Sequence, residues 1–269
     1  MTDQTTARRE ELLAAFDREM REGARPDGPG VRVERGDGFV RQVGKDTDWN
    51  AVVWSSPDLD AVRADAAIAA QVAHCTAHGY GEFEWKLYSH DRPADLGARL
   101  LAAGFVPEEP ETLLVAPVAD QPMTVRLPEG VQLRTVRDEA DVELMARAHG
   151  QAFGTDWSRL RHQVLARLEE DPDHFVGVLA MAGDEPVSSA RMELYPGTGF
   201  AGLWGGGTVE AWRGRGVYRA LIAFRARIAA ERGYRYLQVD ATEDSRPILQ
   251  RLGFTALGTT TPYVYRPAP

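Results

Sequence analysis

The stretch Trp212-Arg-Gly-Arg-Gly-Val-Tyr-Arg-Ala-Leu221 joins a glycine-rich segment to a long amphipathic segment. Its two glycines, Gly214 and Gly216, let the backbone come close to a ligand and expose successive N–H groups. The stretch ends at the start of a predicted helix, where unpaired N–H groups and the helix dipole favour an anion. Arg213 and Arg215 add positive charge. The pattern therefore predicts a cradle for a pyrophosphate.

Two other phosphate-binding loops do not fit this stretch. A nucleoside-triphosphate loop ends in Gly-Lys-Ser/Thr, but Val217 follows Gly216 here. A dinucleotide-binding fingerprint requires a third glycine where Arg219 stands. A structural turn with surface arginines is the remaining alternative.

The loop resembles the pyrophosphate loop of the GNAT superfamily of N-acetyltransferases, which reads Gln/Arg-x-x-Gly-x-Gly/Ala. Arg213 and Gly216 match its first and fourth positions. Tyr218 stands where the family has Gly or Ala, so its ring must point away from the phosphates or alter the cradle. The resemblance covers roughly residues 124–267. The acetyl-coenzyme A (acetyl-CoA) site that it implies consists of Thr208, Val209, Arg213, Gly214, Arg215, Gly216, Val217 and Tyr218.

The resemblance also implies how the rest of the thioester is held. Main-chain groups of Thr208 and Val209 would bind the pantetheine arm, as an added strand would. This strand and the strand that ends at Val239 would splay apart, and the thioester would lie between them. A main-chain N–H group near Val209 would stabilise the oxyanion.

The chain contains an internal repeat, which indicates two related domains. The distances from Gly79 to Arg92 and from Gly233 to Arg246 are both 13 positions. Each copy then continues through a helical stretch to Gly-Phe. The matching elements are His78-Gly-Tyr80 and Arg232-Gly-Tyr234, Arg92-Pro93 and Arg246-Pro247, and Gly104-Phe105 and Gly253-Phe254.

The repeat makes specific structural predictions. Gly79 and Gly233 should end helices in the left-handed conformation. Pro93 and Pro247 should lie in first helical turns, where a missing N–H group has no cost. Both Gly-Phe pairs should lead into a short pair of strands.

We predict a mixed α/β fold of two GNAT-like domains in tandem, residues 1–119 and 120–269, joined within the polar stretch 117–122. The second domain should have the order β-α-α-β-β-β-α-β-α-β-β. Its predicted elements are a strand at 131–136, helices at 138–153 and 157–169, a hairpin at 175–181 and 187–194, a strand at 200–209, a helix at 217–232 with Leu221, Phe224, Ile228 and Ala229 inward, a strand at 237–239 and a helix at 247–252.

The first copy has no glycine loop. Its long helix, predicted at 59–78, follows Trp54-Ser-Ser-Pro-Asp58, which places acid where the second copy has arginine. We interpret residues 1–119 as a degenerate GNAT-like domain, whose first twenty residues form a charged amphipathic helix.

Composition limits the partners of the chain. The net charge is −9 and the isoelectric point is near 5.2, so nucleic acid and membrane surfaces are unfavourable partners. Cys75 is the only cysteine, and no Cys/His cluster has metal-ligand spacing, so neither a disulfide nor a metal site is expected. The N-terminal residues lack a signal-peptide pattern, and a reducing cytoplasm is the expected location.

The function that these observations predict is acetyl-CoA-dependent N-acetylation of a primary amine on a small molecule, by direct transfer. The acceptor is not identified by the sequence, and a homodimer is left open. The catalytic base is also unknown. Three acids at the predicted strand ends are candidates: Glu210, Asp240 and Glu243. The other candidates are water and a residue from the acceptor-side helices, which are the first two helices of the second domain.

Two alternatives stay open. The family often has a tyrosine acting as general acid where this chain has Leu249, which favours a non-catalytic protein that binds or senses acyl-CoA. Alternatively, Gly205-Gly206-Gly207 could make room for a bulkier acyl or aminoacyl group.

Overall fold

The computed structural model describes residues 2–28, 30–155 and 157–267. The chain forms two compact units. The first unit comprises Met1–Leu114 and Asp240–Pro269, and the second unit comprises Val115–Val239. The boundaries between the units fall inside two strands, Glu111–Pro117 and Tyr236–Ala241. The predicted boundary at 119/120 therefore differs from the division into compact units, and it stays a prediction about the two family-related copies.

The first unit is built on a sheet with strand order β1-β2-β3-β4-β12, and β5 also pairs with β12. Strands β3 and β4 are parallel, and the other pairs are antiparallel. Its elements are α1 (Thr2–Phe16), a π-helical turn (Asp17–Glu22), β1 (Arg32–Gly36), β2 (Phe39–Val43), β3 (Ala51–Ser55), α2 (Ala61–His78), β4 (Phe83–Tyr88), α3 (Leu96–Ala102), β5 (Val106–Pro107), β6 (Glu111–Pro117), α7 (Arg246–Arg251) and β12 (Thr255–Tyr265).

The second unit is built on a sheet with strand order β11-β10-β9-β8-β7. Strands β10 and β11 are parallel, and the other pairs are antiparallel. Its elements are a 3₁₀ turn (Val118–Asp120), β7 (Val131–Thr135), α4 (Glu139–Phe153), α5 (Ser158–Glu170), β8 (Phe175–Ala182), β9 (Glu185–Leu194), β10 (Phe200–Thr208), a 3₁₀ turn (Glu210–Trp212), α6 (Val217–Glu231) and β11 (Tyr236–Ala241). The element order predicted for this region is confirmed up to its last strands.

The two copies of the repeat share the same helix ending. Gly79 has φ 67° and follows α2, and Gly233 has φ 80° and follows α6. In each copy the glycine N–H donates to the carbonyl three residues back, and the next N–H donates to the carbonyl five residues back. This is the double hydrogen bond of a glycine-ended helix, and it confirms the predicted role of both glycines.

Two predictions from the repeat are corrected. Pro247 lies in the first turn of α7, but Pro93 precedes α3 and its carbonyl accepts from the Leu96 N–H in a turn ahead of the helix. Phe254 leads into one long strand, β12, instead of a strand pair. This strand stays unbroken because it pairs with β4 from Thr260–Tyr88 to Tyr265–Phe83.

The buried face of α6 also differs from the prediction. Leu221 and Ala229 are buried as expected, but Phe224 and Ile228 are only half-buried. Arg225 is buried instead, with 1% of its surface exposed. A cation on the inner face of a helix contradicts the usual hydrophobic pattern, and its contacts are described below.

Within the described ranges, no helix combines the length and the apolar character needed to cross a bilayer.

Candidate functional site

Strand β10 separates from β11 after the first third of its length. The two strands pair only from Phe200 to Gly202, opposite Tyr236 to Gln238, whereas β10 continues to Thr208. The remaining six residues of β10 leave an edge toward β11 on which the pairing has ended. The predicted splay is therefore confirmed.

A bulge interrupts β10 in the splayed region. Its pairing with β9 shifts register between Trp204 and Gly207, and Gly205 has φ 55°. The neighbouring glycines are needed because side chains pack directly on them. A Cβ atom on Gly206 would lie 2.9 Å from the Tyr218 ring, and one on Gly207 would overlap the Phe153 ring. The three glycines therefore do not leave the empty space that the alternative of a bulkier acyl group requires.

The glycine loop that follows β10 is open to a ligand. Gly214 and Gly216 have φ 72° and 85°, and a Cβ atom at either position would meet nothing within 4 Å. Helix α6 starts directly after Gly216 and has no side-chain cap. Across the described residues, the N–H groups from Gly214 to Arg219 have no hydrogen-bond acceptor. They form an uncapped helix N-terminus, which suits an anion.

The two loop arginines have different environments. The Arg213 guanidinium donates to the carbonyls of Thr208 and Ala152, at 3.1 and 3.0 Å. Arg213 thus fastens the loop to the end of β10 and to α4, in addition to supplying charge. Arg215 is exposed, with its guanidinium 4.9 Å from the centre of the Trp212 ring.

The main-chain groups predicted to hold the pantetheine arm are already engaged. The Thr208 carbonyl accepts from Arg213. The Val209 N–H donates to the Val187 carbonyl at 2.9 Å, and the Val209 carbonyl accepts from the Trp212 N–H. Val209 is therefore a poor donor to an oxyanion in this structure. The splayed edge of β10 from Leu203 onward is the better-placed main chain.

Tyr218 resolves the departure from the family pattern. Its ring lies against Gly206 of β10, inside the unit and away from the open glycine loop. Burial raises the pKa of its hydroxyl despite the positive charge of Arg225. The Tyr218 ring therefore points away from the predicted phosphate cradle, which is the first of the two possibilities given above.

His149 contacts the bulge from α4. Its ring Cε1 atom would be 3.9 Å from a Cβ on Gly205, and the ring hydrogen-bonds to the Gly205 backbone. Phe153 and Trp157 flank it, with ring centres 4.5 and 5.3 Å away. Burial, and then the charge of Arg191, lower its pKa to about 4. The imidazole is therefore neutral at pH 7.

Arg225 supports the bulge from the opposite helix. Its Nη1 donates to the Arg191 carbonyl at 2.8 Å, and its Nε donates to the Leu221 carbonyl at 3.1 Å. Burial lowers its pKa to about 10. Arg191 faces Trp204 at the residue where the bulge begins, so Arg225 binds the partner strand at the irregular point of the ladder. A buried cation is costly, which indicates that this contact is needed to hold the bulge.

The three acids proposed as bases have different environments. Glu210 is exposed in the 3₁₀ turn after β10. Glu243 is exposed and pairs with Arg246 at 2.6 Å. Asp240 belongs to the first unit, where its buried carboxylate lies 2.9 Å from the Lys86 ammonium. Both Asp240 and Glu243 are engaged by a cation, so Glu210 is the least constrained of the three.

The position of the family tyrosine is apolar. Leu249 lies in α7 and is fully buried. It can neither donate nor accept a proton.

Comparison with known families identifies the region that contains this loop. Residues 142–254 match the model of the Acetyltransferase (GNAT) family. These residues form a GNAT domain. The match includes the splayed strand, the bulge, the glycine loop and α6, so the GNAT domain contains every feature of the candidate site. This match supports an acyltransferase activity.

Solved structures extend the likeness beyond the GNAT domain. A GCN5-related N-acetyltransferase from Kribbella flavida is 19% identical, covers 97% of this chain and 95% of its own, and has a TM-score of 0.68. One from Sphaerobacter thermophilus is 15% identical and covers 97% and 86%, with a TM-score of 0.62. A tandem GNAT protein from the clavulanic acid biosynthesis pathway is 11% identical and covers 99% and 96%, with a TM-score of 0.62.

At these identities the likeness shows the fold alone. Because it extends over nearly the whole chain, the fold of two GNAT-like domains in tandem is confirmed. A comparison with curated protein sequences finds no match.

The sequence reasoning did not identify His149 and Arg225 as site residues. Each occupies a core-facing position on an amphipathic helix, His149 one turn after Met145 and Arg225 one turn after Leu221. A titratable side chain at a core-facing position is the feature of the sequence that could have marked each of them as a candidate site residue. Its contact with the bulge could not be read from the sequence, because the bulge depends on the register of β9 and β10.

Proposed function

We propose that this chain is an acetyl-CoA-dependent N-acetyltransferase that moves an acetyl group to a primary amine of a small molecule. The observation that carries the proposal is the open loop from Arg213 to Gly216, with unpaired N–H groups at the start of α6. These groups and the charge of Arg215 would bind the pyrophosphate. When bound, acetyl-CoA supplies an activated acetyl thioester.

Direct attack by the amine, without an acyl-enzyme, is the mechanism that the described residues favour. Cys75 is the only thiol of the chain and is fully buried in the core of the first unit. Burial raises the pKa of this thiol, so it stays protonated and is a poor nucleophile. The leaving thiol of coenzyme A has a pKa of about 8.5, so it can depart as a thiolate without a proton donor. The apolar Leu249 is therefore compatible with transfer.

A non-catalytic acyl-CoA sensor is the second candidate. The buried Leu249 favours it, because the family's usual proton donor is missing at that position. Such a protein would bind acetyl-CoA through the same loop but would release no coenzyme A.

Two measurements on the full chain distinguish these functions. Calorimetry should detect acetyl-CoA binding, and a thiol reagent should detect coenzyme A release when a pool of small primary amines is added. Binding with amine-dependent release supports the transferase. Binding without release supports the sensor, and absence of binding contradicts both.

A further inference from the structure

The β10 bulge is held from both sides by side chains that the loop motif does not include. His149 binds the Gly205 backbone from α4, and Arg225 binds the partner strand from α6. Of these two side chains, only the His149 imidazole is neutral at pH 7. Arg225 remains a cation at pH 7, since burial lowers its pKa only to about 10. His149 is thus the residue at the bulge that can accept a proton.

The position of His149 matches the needs of the reaction. The bulge lies on the part of β10 that no longer pairs with β11, which is where the thioester is expected. Helix α4 is one of the two helices on the acceptor side of the fold expected from the resemblance. His149 is half-buried between Phe153 and Trp157, so part of the ring remains accessible. An aromatic and partly dry surround suits a neutral amine better than an ammonium ion.

The hydrogen bond to Gly205 indicates which ring nitrogen of His149 carries the proton. A ring N–H group of His149 donates to the Gly205 backbone. This direction follows because the contact raises the pKa of the ring. In a neutral imidazole, the other ring nitrogen is then an acceptor. Burial, and then the charge of Arg191, lower the pKa of this ring, so it is neutral before the amine attacks.

We propose that His149 is the catalytic residue that accepts the proton from the attacking amine. The inference rests on the proposed transferase function and identifies the base that the acids Glu210, Asp240 and Glu243 leave unassigned.

The transfer balances as follows. The amine nitrogen forms a bond to the thioester carbon, and the carbonyl π pair moves to oxygen. The positively charged amine nitrogen of this adduct then loses a proton to the free nitrogen of His149. The oxygen pair then re-forms the carbonyl, the C–S bond breaks, and sulfur leaves with that pair. The imidazolium returns its proton to the thiolate, directly or through water, which gives an amide and coenzyme A.

The deciding variant is His149→Gln, which keeps an N–H donor for the Gly205 backbone but cannot accept a proton. The matched control is His162→Gln. His162 is exposed on α5 in the same unit, and its ring contacts the Ser158 carbonyl at 2.7 Å. We expect kcat to fall by about 100-fold or more in His149→Gln, since general bases contribute on the order of 10²–10⁴-fold. Acetyl-CoA affinity should stay within about twofold, and His162→Gln should match wild type.

Two further readouts separate catalysis from a structural role. In His149→Ala, added imidazoles should restore coenzyme A release, with a rate that rises with the basicity of the imidazole. NMR titration of the ligand-free protein should show that His149 protonates well below pH 6.5. A structural role predicts neither rescue nor any dependence on basicity.

Each outcome decides between the two proposals. If wild type releases coenzyme A with the amine pool and His149→Gln retains its rate within about fivefold, the role of His149 is overturned and the transferase stands. If wild type binds acetyl-CoA but releases no coenzyme A, with or without amines, both the transferase and the role of His149 are overturned. If His149→Gln unfolds, rescue of the alanine variant by imidazole decides the question.

Discussion

Helices α2 and α6 occupy corresponding places in the two copies of the repeat, yet they begin in opposite ways. Helix α2 is capped by its own carboxylate, because the Asp60 side chain accepts from the Arg63 N–H at 2.9 Å. Helix α6 follows Gly216 and has no side-chain cap. In α2 an internal anion satisfies the helix N-terminus, whereas in α6 the same groups are left for an external one.

This difference teaches how one copy can keep the fold and lack the site. The shared glycine endings of α2 and α6 preserve the helix-to-strand connection in both copies. The start of the helix is the part that has diverged. Stability favours the capped start, since an N-cap contributes about 1 kcal/mol. The start of α6 lacks this stabilisation, and its N–H groups are left available to an anion.

The largest expected effect comes from separating the copies. A fragment of residues 120–269 retains β12 but lacks β4, its partner from Thr260–Tyr88 to Tyr265–Phe83. An unpaired strand of this length invites aggregation. We expect the fragment to be poorly soluble or weakly active in size-exclusion and coenzyme A release assays. A monomeric fragment with full activity would contradict this.

Next in size is Gly216→Asp, which converts the open start of α6 toward the capped start of α2. It places a carboxylate where phosphate must approach, and acetyl-CoA affinity measured by calorimetry should fall by at least about 100-fold. Gly130→Asp is the matched control, because Gly130 has φ 76° and equally empty surroundings outside the loop. Wild-type affinity in a folded Gly216→Asp protein would refute the assignment of the loop.

A smaller effect is expected from Asp60→Ala, which removes the cap of α2. The free energy of unfolding should drop by about 1 kcal/mol, with acetyl-CoA affinity unchanged. Asp138→Ala removes the equivalent cap of α4, whose carboxylate accepts from the Asp141 N–H at 2.9 Å, and should cost a similar amount. Denaturant titration measures both. Acetyl-CoA binding that depends on Asp60 would show that the first copy takes part in the site.

The smallest effect on activity is expected from Cys75→Ala. The thiol lies in the core of the first unit, and its Sγ contacts the Tyr80 carbonyl at 3.5 Å. Its loss should lower stability slightly while coenzyme A release stays at the wild-type rate. An inactive variant, or an acetylated Cys75 found by mass spectrometry during turnover, would rule out direct transfer.

Much of the fold could be predicted because its signals are local. Glycine endings, proline at Pro247 and alternating strands depend on a few adjacent residues, and these were placed within one or two positions. Pro93 was misplaced because its turn is stabilised by a contact with Leu96 that the pattern of the second copy does not contain. The pairing of β12 with β4 joins residues far apart in sequence, which no local pattern specifies.

The candidate site divides in the same way. The loop from Arg213 to Gly216 could be identified because its chemistry lies in consecutive residues. The contacts of Val209, His149 and Arg225 could not, because each depends on a partner from another element. Arg225 shows most clearly what sequence patterns cannot predict. The helical pattern places charged side chains on the exposed face, but the Arg225 guanidinium is buried and donates to a carbonyl of β9 beside the bulge.

The split of the first unit across the two ends of the chain has a consequence for biosynthesis. Residues 115–239 are one uninterrupted segment, whereas β4 must wait for β12, which is synthesised after that segment. At about 5–20 residues per second, the ribosome releases the second unit complete while the first still has an unfilled place in its sheet. The half without the glycine loop is thus the last to finish folding, and a truncated transcript would leave that half unfinished.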